Sequence, residues 1–185
     1  TITDQKQKSW NVKLKTAGKH YMKNAAALLT LVSSLNLELS KAILALQSWS
    51  PLAGRGQVSE VKLKASKCSE TIHLIDESYN ANPSSVKSSL ETLACIFTNK
   101  KGKGEHYRRI AVLGDMLELG FSEIQEHVNI SKFARLDKID KIYCVGSRMK
   151  KLFDVLPYSK RGLWTETAEE MQHVLVNKLK NGDII

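Results

Sequence analysis

From residue 58 onward, short apolar runs alternate with stretches of helical periodicity. Val58 to Leu63 alternates apolar and polar side chains, the pattern of a half-buried strand. Ile72-His73-Leu74-Ile75, Ile110-Ala111-Val112-Leu113 and Ile142-Tyr143-Cys144-Val145 are compact apolar runs, and Ile184-Ile185 opens another. Between them lie helical patterns. Asn82 is a natural N-cap with Pro83 at the first helical position, and Val86, Leu90, Leu93, Ala94 and Phe97 follow on one face. Ser122 with Gln125 three residues on predicts a capping box that opens a helix through about Arg135. A short helix is expected over residues 147–154. Thr167 with Glu170 caps a last helix bearing Met171, Val174, Leu175 and Leu179, ended by Gly182.

Short all-apolar strands separated by helices predict parallel strands covered on both faces. The expected fold is therefore α/β, a Rossmann-like, doubly wound, mostly parallel sheet with right-handed crossovers. In such sheets ligands bind beyond the C-terminal strand ends. That rule points to residues 76–83, 114–120 and 146–148.

The first fifty residues read differently. Residues 10–16 alternate like a strand, although nothing before them reads as a pairing partner. Residues 20–34 predict a helix with Tyr21, Asn24, Ala25, Leu28, Leu31 and Val32 at helical spacing. Ser40 is expected to cap a short helix through Gln47. Pro51, Gly54 and Gly56 punctuate a connector. The expected organisation is a helical segment at 1–50, a connector at 51–57 and an α/β domain at 58–185. The end, Asn181 to Ile185, is a turn and the opening of an apolar strand, which predicts a chain that continues further.

Composition adds limits. The chain has 185 residues, 42% hydrophobic and 25% charged, which are globular values. No apolar run approaches the roughly 20 residues of a membrane helix. Three separated cysteines (Cys68, Cys95, Cys144) argue against a disulfide framework and for a cytoplasmic setting. No cysteine or histidine spacing suggests a metal site, so no metal ligand is assigned. The net charge of +9 invites a nucleic-acid partner. Its excess, however, sits in two segments: five lysines among residues 1–20, and Lys100, Lys101, Lys103, Arg108 and Arg109 in what reads as an exposed basic turn. Elsewhere 18 bases face 17 acids. Aromatic content is 6%, and no RNA- or DNA-binding signature occurs. A basic nucleic-acid-binding α/β module is kept as the alternative; the expectation is no nucleic acid and a monomer. A nicotinamide oxidoreductase suits the fold, but the G-x-G-x-x-G fingerprint is missing.

Four segments carry candidate chemistry. Asp76-Glu77-Ser78-Tyr79-Asn80-Ala81-Asn82-Pro83 leaves a buried strand for a helix N-terminus, where free N–H groups gather. It reads either as a ligand edge or as a polar turn in which Asp76 and Ser78 satisfy local backbone and Asn82 only caps. Gly114 to Gly120 carries Asp115 and Glu118, which suit acid–base work or an ammonium group; a glycine-bounded packing loop is the other reading. Arg55 between Gly54 and Gly56 can present its forked donors to a phosphate or sugar, or be a plain hinge arginine. Gly18-Lys19-His20 with Asn24 is an anion-binding helix start or only a helix start.

In order and spacing these segments resemble the Mur ligases, and within them the branch that adds D-alanyl-D-alanine. The residues that carry the resemblance are Ser78-Tyr79-Asn80-Ala81-Asn82-Pro83, Val112 to Gly120, the Gly18-Lys19-His20…Asn24 helix start and the Gly54-Arg55 connector. The resemblance implies the C-terminal part of an ATP-dependent amide ligase of peptidoglycan precursor synthesis. ATP phosphorylates the carboxylate of UDP-N-acetylmuramoyl-tripeptide. The amine of D-alanyl-D-alanine then attacks the acyl phosphate and expels phosphate. The resemblance assigns adenine contact to Asn24, ribose contact to Arg55 and Glu77, and dipeptide contact to Tyr79, Asn80, Asn82 and Asp115. It places the phosphate loop and Mg2+ ligands in a central domain outside residues 1–185, so no catalytic residue is assigned and the isolated chain is expected to be inactive. It also makes residues 1–50 the tail of that ATPase domain. Tyr21, where related ligases often have Asn, and Glu77, where Asp is common, depart from the pattern. Another Mur-type ligase is a further alternative.

Overall fold

The structure, a computed structural model, describes residues 2–3, 9–63, 70–96 and 107–185. The expectations for Phe97, the basic run at residues 100–105, Cys68 and the first lysines lie outside these residues. The chain divides into two compact units, residues 1–52 and 53–185.

In the first unit, β1 (Ile2–Thr3) pairs antiparallel with β2 (Ser9–Trp10), followed by α1 (Lys19–Ser34) and α2 (Leu39–Ser48). The strand expected over residues 10–16 is thus corrected: only Ser9 and Trp10 find a ladder partner, and alternation without a partner does not make a strand. Ala25 and Leu29 of α1 and Ile43 of α2 are buried, while Leu28 and Leu31 are 45% and 56% exposed. Two helices bury one narrow seam, and those leucines lie off it. Ser40 does not cap α2. Glu38 occupies the cap position, and the Ser40 hydroxyl donates to Glu38 Oε1 at 2.8 Å from inside the first turn.

The second unit is built on β3 (Gln57–Lys62), β4 (Thr71–Asp76), β5 (Ile110–Gly114), β6 (Lys141–Val145) and β7 (Arg161–Thr165). β5, β6 and β7 form a parallel sheet in that order, with α4 (Glu123–Asn129) and α5 (Ser147–Val155) in the crossovers. β3 and β4 form an antiparallel pair. Residues 183–185 run between β4 and β5, parallel to both. His73 and Ile75 N–H donate to Asp183 and Ile185 O at 2.8 and 2.7 Å, and Ile110 N–H donates to Ile184 O at 2.8 Å. The sheet order is therefore β3, β4, residues 183–185, β5, β6, β7.

Alternation within the strands explains the two-sided core. Ala111, Ile142, Cys144 and Ile184 point to one face, where Val86, Leu90 and Leu93 of α3 (Pro83–Cys95) and Met149 and Leu152 of α5 pack. Ile110 and Tyr143 point to the other, under Met171 of α6 (Ala168–Val176). Ile110, Ile142 and Ile184 are fully buried, each stabilising the fold by about 1.5–3 kcal/mol. No helix among the described residues is long and apolar enough to cross a membrane.

Further expectations are corrected. β7, Arg-Gly-Leu-Trp-Thr, is a strand the apolar pattern does not announce. The Ser122–Gln125 capping box does not form: Gly120–Ser122 is a 3-10 turn, and the Ser122 hydroxyl donates back to Leu119 O at 3.2 Å. The helix it was expected to open ends at Asn129, and α6 ends at Val176, before Gly182. Arg109 is not an exposed basic residue. It is 8% exposed, and its guanidinium donates to Leu93 and Ile96 O at 3.0 and 3.3 Å, closing the end of α3. Arg108 forks onto Asp183, with Nε to Oδ1 at 2.8 Å and Nη2 to Oδ2 at 2.6 Å.

Candidate functional site

β4 delivers its last residue, Asp76, to the C-terminal edge of the parallel strands. Asn82 then starts α3: its Oδ1 accepts from Ser84 and Ser85 N–H at 3.1 and 2.9 Å, and Ser85 Oγ accepts from Asn82 N–H at 3.0 Å. The Asn82 oxygen is thereby engaged in capping, so its amide nitrogen is what it can offer a ligand. Asn80 turns its Oδ1 onto Ala81 N–H at 2.8 Å. Tyr79 is 67% exposed.

Residues 53–56 are strapped to this turn. Gly56 N–H donates to Asp76 O at 2.7 Å, and Tyr79 N–H donates to Gly54 O at 3.0 Å. Gly54 N–H donates to the Asp76 side chain, Oδ2, at 3.1 Å. Gly54 has φ +76, and a Cβ there would lie 3.0 Å from Tyr79 Cβ, so only glycine allows this approach. The strap presents Arg55, whose guanidinium carbon lies 4.0 Å from the centre of the Tyr79 ring.

Two neighbouring carboxylates are tuned apart. The Ser78 hydroxyl (2.6 Å) and N–H (3.1 Å) donate to Asp76 Oδ1. The Ser78 hydroxyl is the leading cause that holds the Asp76 carboxyl below its usual range. Glu77 is half-buried and goes the other way: burial first, then the Asp76 charge, push its pKa up.

The loop after β5 is tied to the next strand end. Asp115 Oδ1 accepts from Met149 N–H at 2.7 Å, and Oδ2 accepts from Arg148 N–H at 3.2 Å, so its carboxylate holds the first turn of α5. Arg148 Nε in turn donates to Glu123 Oε2 at 2.7 Å. Glu118 sits at φ +61, a conformation uncommon for a non-glycine residue. Beneath the loop, fully buried His127 accepts from Met116 N–H through Nε2 at 2.9 Å, and its Nδ1 meets Glu123 O at 2.6 Å. This pairing takes the Nδ1–H tautomer.

A cleft of about 670 Å³ opens at these strand ends, rimmed by Asp76 to Asn80, Gly114, Asp115, Leu117 and Glu118. The structure thus brings together Glu77, Tyr79, Asn80 and Asp115. Arg55 joins them through the Tyr79 ring, and Asn82 sits behind them as the helix cap. Asn24 belongs to the first unit, exposed on α1. Near it, burial pushes His20 down in pKa, and its Nδ1 is buried without a hydrogen-bond partner among the described residues. The polar-turn reading of the sequence has Asp76 and Ser78 satisfying local backbone, and Asp76 does accept from Ser78 and Gly54 N–H. His127 is the residue that the sequence reading missed, and no local signal marked it.

This fold, with a cleft built from the β4–α3 turn and the loop after β5, is a Rossmann-like α/β domain. The chain belongs to the Mur ligase family: residues 62–185 match the family described as Mur ligase, glutamate ligase domain. The UDP-N-acetylmuramoyl-tripeptide–D-alanyl-D-alanine ligase of Mycobacterium leprae is 39% identical over 101 residues, 51% of this chain and 19% of that protein. The enzyme of the same name from Buchnera aphidicola is 29% identical over 174 residues, 94% of this chain and 34% of that protein. The crystal structure of MurF ligase from Thermotoga maritima in complex with ADP superposes with a TM-score of 0.72 at 24% identity. It covers 95% of this chain and 36% of that one. The chain therefore spans between about a fifth and a third of the curated relatives named here.

Proposed function

We propose that this chain is part of an ATP-dependent amide ligase that joins D-alanyl-D-alanine to UDP-N-acetylmuramoyl-tripeptide. Family membership and the names of its relatives support the reaction class. One observation in the structure carries it furthest: residues 76–81 and the loop after β5 line one cleft at the strand ends, and the Arg55 strap is tied to that turn through Asp76 and Tyr79. Residues 1–50 are read as the tail of a central ATP-binding domain, 51–57 as its connector and 58–185 as the C-terminal ligase domain.

In this reading ATP supplies the phosphoryl group that activates the tripeptide carboxylate. Arg55 and Glu77 hold the ribose hydroxyls, as a forked donor and a carboxylate acceptor suit. Asn24 contacts adenine. Tyr79, Asn80 and the Asn82 amide nitrogen offer donors to the carboxylate and carbonyl of the dipeptide. Asp115 contributes by holding the loop that faces it. The Mg2+ ligands are read as belonging to the central ATP-binding domain, outside residues 1–185. The setting is the cytoplasm.

Phosphate release by the full-length protein tests this reading. It should require both UDP-N-acetylmuramoyl-tripeptide and D-alanyl-D-alanine, and the isolated 185 residues should release none. Release driven by a single amino acid in place of the dipeptide would assign the chain to another branch of the family. Salt-sensitive retention of nucleic acid without ligation would point to the basic-module alternative.

A further inference from the structure

We propose that Asp76 is a positioning residue of the nucleotide site, a latch that holds Arg55 and Glu77 in one arrangement. The inference rests on the ribose reading of those two residues and adds a role for a third.

Asp76 is where three pieces of chain meet. Its carbonyl accepts from Gly56 N–H and its Oδ2 from Gly54 N–H, so it grips the strap on both sides of Arg55. Its Oδ1 accepts from both Ser78 donors, which sets the turn that follows Glu77. Tyr79 closes the ring, with its N–H on Gly54 O and its ring under Arg55. The strap has little rigidity of its own, because Gly54 and Gly56 (φ +76 and +83) have many alternatives when untied. Bonds to a charged carboxylate are the strong kind, and here they cross 22 residues of sequence. An asparagine at 76 retains one acceptor oxygen and turns a donor toward either Gly54 or Ser78. It therefore cannot keep both halves of the latch.

The test is steady-state kinetics of the full-length ligase with each substrate varied in turn. Asp76→Asn and Asp76→Ala should each raise the KM for ATP about tenfold or more. They should leave kcat and the KM for tripeptide and dipeptide within about twofold. Ser78→Ala, which keeps the Gly54 bond, should raise the ATP KM less. Adding Asp76→Ala to Arg55→Ala should cost less than the sum of the two single losses, since both act on the Arg55 contact. If the alanine variant fails to fold, the Asn and Ser78→Ala variants decide. An unchanged ATP KM in the Asp76 variants, beside a raised one in Arg55→Ala and Glu77→Ala, overturns the latch and leaves the ribose reading standing. Equal losses toward all substrates with a lowered melting temperature mean a structural role only, and also overturn it. Wild-type ATP KM in Arg55→Ala and Glu77→Ala removes the ribose reading, and the latch with it.

Discussion

The Asp115 carboxylate lies directly against Gly146. A Cβ built on Gly146 would come within 2.5 Å of Asp115 Cγ and 2.6 Å of both oxygens. The carboxylate cannot swing aside, because Met149 and Arg148 N–H hold it. Gly146 also has φ +99. Gly146→Ala therefore meets both backbone strain and loss of the α5 cap. It should destabilise the protein by about 2 kcal/mol or more. Asp115→Ala, which loses the cap and the 3.5 Å ion pair to Arg148 but strains no backbone, should cost less. Thermal or urea denaturation of both variants checks the order.

The opposed tuning of Asp76 and Glu77 predicts opposite pH signatures. Asp76 has a lowered pKa in the fold. It stabilises above its unfolded pKa, and that contribution is lost as pH falls through the folded value. Glu77 has a raised pKa, so its ionised form costs stability at neutral pH, and the cost disappears as pH falls below the unfolded value. At neutral pH, Asp76→Asn should melt below wild type and Glu77→Gln slightly above it. Both differences should shrink toward acid pH. Melting temperatures across pH 3–8 test the signs (a window set by ordinary carboxylate pKa values of about 4). Differences of the reverse sign would contradict the assignment.

His127 supports the cleft loop from below. His127→Ala removes the acceptor of Met116 N–H and leaves that donor buried, at about 1–3 kcal/mol, with a cavity cost on top. The loop carrying Leu117 and Glu118 should loosen. Hydrogen exchange at Met116 should accelerate well beyond any change in β6; exchange unchanged at Met116 would refute the role.

Cys144 lies fully buried in β6, and burial, helped by the Asp115 charge, pushes its thiol up to about 12. Alkylation at pH 8 should leave Cys144 unmodified in the native protein and modify it after denaturation. Peptide mass spectrometry reads this directly.

Local signals in the sequence were read well. Asn82 with Pro83, and Thr167 with Glu170, both cap the helices expected of them. The apolar runs at 72, 110, 142 and 184 all lie in the sheet. The misses have physical causes. β7 escaped because Gly162 lies under the Tyr143 ring, where a Cβ would come within 2.7 Å. A strand that packs its backbone against a neighbour's side chain needs no apolar run of its own. The Ser122 box failed because a 3-10 turn placed the hydroxyl on the wrong side of the cap.

The sequence by itself determined most elements of residues 58–185 and the sheet class, though not β7. These follow from periodicity and capping, which act within a few residues. Only the tertiary structure decided that residues 183–185 separate β4 from β5. It alone decided which polar groups are committed: Asp183 to Arg108, Arg109 to the end of α3, Asp115 to α5 and Asp76 to Gly54. Those partners lie between 13 and 75 residues apart. No local pattern encodes them, because a buried charge takes whichever partner the fold brings within hydrogen-bond reach.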